Sequence, residues 1–223
     1  MPVSSSIDGS NRFYQEWFAL NLILASASPR RRQLLSELGI AFEVCPSNFP
    51  EAGVEELPPE QQALTLARGK AHSVAEQVQE GVVLGADTIV LIEGEVLGKP
   101  KSLEQAKEML LRLSGRAHKV ITGLALFRVE KGQIVGERTG YEETTVYFRR
   151  LTVEDVDLYV STGDCMDKAG AYGIQGLASL LVEGLDGDYF NVVGLPLVRL
   201  DKLLRDWGFS LLRLGTKGNK GGS

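Results

Sequence analysis

The 223-residue chain contains only two cysteines and two histidines. Cys45 and Cys165 stand far apart and without metal-ligand spacing, which argues against a disulfide framework and a thiolate zinc site. Any Ser-His-Asp or Cys-His catalytic scheme would have to run through His72 or His118. His72 falls on the polar side of a helical pattern and reads as a surface histidine. His118, between Ala117 and Lys119 at a strand entrance, reads as structural. No run of 18 apolar residues occurs, and Met1 to Leu20 lacks the basic start and apolar centre of a signal peptide. A cytoplasmic protein without a membrane partner is the expectation. Positive charge is also in deficit: 24 basic against 29 acidic residues give a net charge of −5. With no interleaving of basic and aromatic residues, this disfavours nucleic acid as a partner. Cations clustered locally in such a chain point to a small, concentrated anion.

The length suits one α/β domain or two small lobes, with 43% hydrophobic residues to fill a core. The stretch Leu22 to Leu38 reads as a short buried strand, a turn of small residues and a helix. Ser28 stands at the N-cap and Pro29 at the first helical position. Arg30, Arg31 and Arg32 then fill the first turn, where each cation should cost about 0.3–1 kcal/mol against the helix dipole. Positive charge gathered over free backbone N–H groups suits an anion such as phosphate. Leu34, Leu35 and Leu38 mark the apolar face; Arg31 lies along its middle, Arg30 at its edge, and Arg32 toward the opposite side.

Further along, Ala41 to Cys45 reads as a strand, followed by an irregular acidic segment containing Glu51. A helix runs from Pro58-Pro59 to about Val78, with Leu64, Ala67, Ala71, Val74 and Val78 on one face and Lys70 at its edge. Val82 to Asp87 reads as a buried strand ending in a carboxylate, and Ile89 to Leu97 as a hairpin turning at Glu93-Gly94. A helix over Leu103 to Leu113 precedes two long strands, Val120 to Val129 and Ile134 to Phe148, with Gly132 at their turn. Thr152 to Val160 reads as a helix, Leu180 to Leu185 as a strand and Leu195 to Trp207 as a last helix. Hairpins mixed with strand–helix units predict an α/β (α+β mixed) fold, a mixed sheet flanked by helices. Residues 1–20 read as an extension in which Phe13, Trp17 and Leu20 could pack a helical turn onto the body, and 213–223 as a disordered tail.

Asp87 is the sharpest candidate for chemistry, because functional residues gather at the carboxyl ends of strands and Gly85 would let a ligand approach the backbone. Asp is equally at home in a structural turn. Thr88 could hydrogen-bond a ligand or simply fill a strand position. Lys99, between Gly98 and Pro100, is a cation with a restricted backbone, or an ordinary loop lysine. The stretch Asp167 to Gly176 carries three glycines at three-residue spacing together with Lys168 and Gln175. It is neither a dinucleotide fingerprint nor a P-loop. Such a loop could present N–H groups to phosphate or set Gln175 against a base edge, or it could be a plain connection. Asp186-Gly187-Asp188 with Asn191 does not match a calcium loop and reads as a turn.

Taken together, Ser26-Ala27-Ser28-Pro29-Arg30-Arg31, Gly85-Ala86-Asp87-Thr88, Gly98-Lys99-Pro100, Leu113-Ser114-Gly115, Asp167 to Gly176 and Asn191-Val192-Val193-Gly194-Leu195-Pro196 resemble the Maf family of nucleoside triphosphate pyrophosphatases. The likeness spans roughly residues 21–210, within an expected domain of 21–212, and the last two motifs resemble the branch acting on dTTP and UTP. The resemblance implies a Maf/ITPase-like fold of two lobes around a central cleft, often as a homodimer. It also implies hydrolysis of a nucleoside triphosphate to the monophosphate and pyrophosphate with a divalent metal, Mg or Mn. It assigns Asp87 as general base, Arg30 or Arg31, Thr88 and Gln175 to substrate choice, and Ser26, Glu51, Lys70 and Lys99 to the cleft. On the physical reading, Arg31, Lys70, Lys99 and Lys168 would neutralise the triphosphate, and Glu51 or Asp87 would help hold the metal. A nucleotide-binding regulator of cell division without turnover is the alternative function.

Overall fold

The computed structural model describes residues 20–218. In chain order the strands are β1 (Leu22–Leu24), β2 (Phe42–Val44), β3 (Gly81–Ile92), β4 (Glu95–Leu97), β5 (Ala117–Glu130), β6 (Gln133–Phe148) and β7 (Val182–Asp186). The helices are α1 (Pro29–Glu37), α2 (Pro59–Ala75), α3 (Leu103–Leu113), α4 (Val153–Ser161), α5 (Tyr189–Val193), α6 (Leu197–Arg205) and α7 (Leu211–Gly218). The strands form one seven-stranded mixed sheet in the order β2-β1-β3-β5-β6-β7, with β4 beside β3. This is the expected α/β class. No described helix is long and apolar enough to cross a membrane.

The architecture turns on β3. One of its edges pairs antiparallel with β5 from Gly81 opposite Val129 to Leu91 opposite Lys119. The other edge is divided: β1 lies parallel beside Val82–Leu84, and β4 antiparallel beside Val90–Ile92. Between these two neighbours, no described strand lies beside Gly85–Ile89 on that side, and the central cleft opens there. The expected break after Asp87 does not occur, because Asp87 and Thr88 remain paired with Gly123 and Thr122 of β5. Asp87 is therefore in mid-strand; the strand end beside it is that of β1, whose chain turns at Ala25 into α1.

Alternation along β3 assigns its side chains to two cores. Val82, Leu84, Val90 and Ile92 pack with leucines of α1, α3 and α6. Val83, with Ala125 and Phe127 of β5, faces the opposite way onto α2. The buried face of α2 carries Ala63, Ala67, Ala71 and Ala75 at four-residue spacing, so Ala63 takes the place expected for Leu64. Small residues answer them on the sheet. A Cβ at Gly85 would overlap the Ala67 carbonyl oxygen and lie 2.8 Å from the Ala71 Cβ; one at Gly123 would overlap the Ala63 carbonyl. Gly85 thus serves helix–sheet contact and not, as expected, the approach of a ligand. Overpacking of this kind costs about 1–3 kcal/mol. Gly85→Ala is expected to lower stability by about 3 kcal/mol in urea denaturation. Gly98→Ala, whose Cβ meets nothing within 4 Å, should stay within about 0.5 kcal/mol of the parent. Equal midpoints would overturn this account of the α2 contact.

Both hairpins close through two-residue turns with positive φ at each position, Glu93-Gly94 (52° and 84°) and Lys131-Gly132 (51° and 73°), the geometry that matches strand twist. Gly132 stands where the turn was expected. Several boundaries differ. Gly176–Leu181 is a 3-10 helix, so β7 starts two residues later than the expected strand, and the last expected helix is the shorter α6. The Asp186-Gly187-Asp188 segment is a turn, as read: Asp188 caps α5 by accepting from the Phe190 N–H at 2.8 Å. α7 runs through the expected boundary at 212. Phe13 and Trp17, most of the expected extension, and the end of the expected tail lie outside the described residues.

His118 is structural, as expected. It is 3% exposed, stacked edge-on against Phe148 and Tyr172, with Nε2 2.6 Å from the Tyr172 hydroxyl. Burial pushes its imidazole down to about 4. The unfolded chain, with an ordinary imidazole near 6.5, takes up a proton that the folded chain refuses, so stability falls as pH drops through that window. Between pH 7.5 and 5 this group should account for a loss of about 2 kcal/mol. Urea titrations at the two pH values check it: His118→Gln should shrink the difference by that amount, and an unchanged difference would refute the assignment.

Candidate active site

The cleft has a volume of about 910 Å³ and is lined by Ser26 to Arg31, the Glu51 segment, Lys70, Asp87 to Val90, Lys99, and the 167–175 loop. Its floor is Asp87, which points to the α2 side of β3 because it alternates with Thr88. The close alanine–glycine contact brings α2 near enough for Lys70 Nζ to reach Asp87 Oδ1 at 2.5 Å. The same ammonium bonds the Glu51 carboxylate, and Lys99 Nζ stands 3.9 Å from the other Glu51 oxygen. Burial pushes the Asp87 carboxyl above its ordinary range; Lys70 and Arg31 oppose that shift, and Glu51 adds repulsion. Glu51 goes the other way. Partial burial raises it, but Lys70, Lys99 and Arg31 together outweigh burial and hold it below the usual carboxylate range. Two neighbouring carboxyls with opposite shifts form a pair suited to different roles.

The second wall is the start of α1. Ser28 occupies the N-cap position, but its side chain caps nothing; its N–H donates to Ser26 Oγ at 3.2 Å instead. Arg31 is buried, as its place on the apolar face predicts, and Arg32 is exposed. All three guanidinium nitrogens of Arg31 are anchored: Nε donates to the Gly194 carbonyl at 2.8 Å, Nη1 to Ser26 Oγ at 3.0 Å and Nη2 to Thr88 Oγ1 at 3.1 Å. One N–H on each terminal nitrogen is left for a ligand. Ser26 accepts two bonds and so keeps its own proton to donate. Burial lowers the Arg31 pKa, with Asp87 opposing the shift; a guanidinium stays charged even so.

The third side is the 167–175 loop. Arg30 Nη1 meets Asp167 Oδ2 at 3.2 Å, so this arginine bridges two walls. Lys168 departs from the expected role of a free cation. Its ammonium bonds the Asp164 carbonyl and, at 2.7 Å each, the Asp164 and Asp167 carboxylates. The loop glycines also have local reasons. Gly170, at φ 66°, packs on Val90, and a Cβ at Gly173 would come within 2.9 Å of the Lys168 side chain. Gln175 is half-buried on the cleft lining. Ser26, Arg30, Arg31, Glu51, Lys70, Asp87, Thr88, Lys99, Lys168 and Gln175 therefore all line one cavity. Three participants had no role in the sequence reading: the Gly194 carbonyl, Asp167 as counter-ion to Arg30, and Thr122 behind Thr88. Thr122 carries a signal only in retrospect, as a hydroxyl at a core-facing position of an apolar strand.

Geometry and charge define a mixed-sheet α/β protein with a cation-walled cleft over a buried carboxylate. The chain belongs to the Maf-like protein family, whose sequence pattern matches residues 21–207. A relative in Moorella thermoacetica named dTTP/UTP pyrophosphatase is 51% identical over 187 residues, covering 84% of this chain and 95% of the relative. Another of the same name in Symbiobacterium thermophilum is 47% identical over 194 residues, covering 87% and 97%. A solved HAM1 protein from Coxiella burnetii aligns with 84% of this chain and 100% of its own, at 16% identity and a TM-score of 0.47.

Proposed function

We propose that the chain is a nucleoside triphosphate pyrophosphatase that hydrolyses dTTP and UTP to the monophosphate and pyrophosphate. The observation that carries the proposal is the buried Asp87, tied through Lys70 to Glu51 and facing the anchored Arg31 across one cleft. The names of its relatives support the substrate class. Lys70 takes Asp87 Oδ1 and leaves Oδ2 to accept a proton from an attacking water. Arg31 offers two N–H groups, and Ser26 its hydroxyl proton, to phosphate oxygens. Gln175 supplies an amide donor and acceptor to a pyrimidine edge. No histidine or cysteine joins these groups among the described residues, and direct attack by water fits the set better than a covalent intermediate.

The residues also fit a divalent cation, magnesium or manganese. Arg30, Arg31, Lys70 and Lys99 face three cleft carboxylates, Glu51, Asp87 and Asp167, so little positive charge remains uncompensated for a triphosphate. No three acidic, His or Cys side chains gather among the described residues; magnesium commonly takes one or two carboxylates together with substrate phosphates. Glu51 or Asp87 would help hold the ion, which would supply charge neutralisation on the phosphates. The proposal extends to a cytoplasmic homodimer, supported by the family resemblance of the motifs and tested by light scattering. Incubation with dTTP, UTP, CTP and 7-methyl-GTP, with either metal, tests the activity. Pyrophosphate release with dTTP and UTP preferred is the expected result. Orthophosphate release would sink the reaction type, a preference for 7-methyl-GTP the branch, and binding without turnover would favour the regulator.

A further inference from the structure

The groups that orient Arg31 continue behind the cleft lining. Thr122 is fully buried on β5, and its hydroxyl donates to the Asn191 carbonyl at 2.9 Å. A hydroxyl has one proton, so the 2.9 Å contact between the Thr88 and Thr122 oxygens must be donated by Thr88. Thr88 is then left with lone pairs on its outer side, and Arg31 Nη2 donates to one of them. The bonds run in one direction, from Arg31 to Thr88 to Thr122 to the Asn191 carbonyl.

The end of this relay is also fixed. Asn191, wholly buried, donates its amide to the Val120 carbonyl and to Thr144 Oγ1, each at 2.9 Å. That arrangement leaves its Oδ1 without a partner, an expense that packing alone does not explain. Three residues further on, Gly194 caps α5 at φ 117° and turns its carbonyl to Arg31 Nε. Thr122 thus bears on two of the three anchors of Arg31: on Thr88 directly, and on Gly194 through a turn that it ties to β5 together with the Asn191 amide.

We propose that Thr122 is a positioning residue that holds the Arg31 guanidinium in register with the substrate phosphates through Thr88 and the Asn191–Gly194 turn. The inference rests on the pyrophosphatase reading and extends the site to a residue with no substrate contact. A misplacement of about 1 Å caused by a residue outside the reacting centre can cost about 10²-fold in rate.

Thr122→Val keeps the shape and removes the hydroxyl. It is expected to lower kcat/KM for pyrophosphate release by about 10-fold, while Thr122→Ser stays within about 2-fold of the parent. In an Arg31→Lys background, which has no fork to orient, Thr122→Val should cost less than about 2-fold. A structural role alone would carry the same penalty into both backgrounds, and that result would overturn the proposal. If the valine variant does not fold, Thr122→Ser and Thr122→Ala form the deciding pair: equal kcat/KM for the two overturns the proposal, and a deficit confined to alanine supports it. Parental activity separates the two readings, since a parent that releases no pyrophosphate refutes the function, whereas an active parent indifferent to Thr122 refutes only the relay.

Discussion

Asp87→Asn is expected to lower kcat for pyrophosphate release by about 10³-fold, within the 10²–10⁴ range of a positioned general base. The amide has the same shape and still offers an oxygen to Lys70, so α2 and β3 keep their contact. It cannot take a proton from water. It also removes the charge opposite Lys70, whose ammonium retains Glu51 as its partner. Nucleotide binding should survive, and calorimetry with dTTP alongside single-turnover kinetics checks both halves. Retained turnover would remove Asp87 from the chemistry and leave it a structural counter-ion. Lost binding would instead place its main role in assembling the cation wall.

Arg31→Ala should reduce kcat/KM by about 10³-fold, because it removes two charge-assisted contacts and a buried cation at once. The substitution also takes a donor from Ser26, Thr88 and the Gly194 carbonyl, the Ser26 and Gly194 contacts being buried and that of Thr88 partly so. Unpaired buried polar groups cost about 1–3 kcal/mol each unless water replaces the donor, so a lower melting temperature should accompany the loss. Arg31→Lys keeps the charge without the planar fork and should recover only about one order of magnitude. Arg32→Ala is the control. That side chain is exposed, and steady-state kinetics should find it within about 2-fold of the parent. Equal effects at the two positions would show that burial on the α1 face has no bearing on ligand binding.

The contrast between these two arginines was legible in the sequence, because helical periodicity alone sets Arg31 in line with Leu34 and Leu35. The strand–helix turn, α2 and the hairpins were legible for similar reasons of period and punctuation, whereas the cleft roles of Ser26 and Glu51 followed from the family resemblance of the motifs. What escaped was set by tertiary contact. Gly85 looked like an opening for a ligand, yet its missing Cβ makes room for Ala67 and Ala71, residues whose relation to it depends on how α2 crosses the sheet. Lys168 is the local exception: Asp164 and Asp167 stand only four and one positions before it, and the conformation of the loop brings both carboxylates onto its ammonium. β3 looked finished at Asp87 because no local pattern reveals that β5 continues alongside it. Thr122 gave no warning in advance, and Asn191 stood in a motif without a role of its own, since hydrogen bonds between distant strands leave no periodic trace.

The divided edge of β3 makes the cleft a ruler. β1 and β4 both hang from this one strand, so the opening between them is counted in residues: six steps from Leu84 to Val90, about 20 Å at the rise of an extended chain. Continuous pairing with β5 opposes a hinge within that span. Deleting one residue between the two neighbours would exchange the faces of Asp87 and Thr88 and disable the site. Deleting two would keep the faces and shorten the span by about 7 Å. Cleft length in this architecture can therefore change only in pairs of residues.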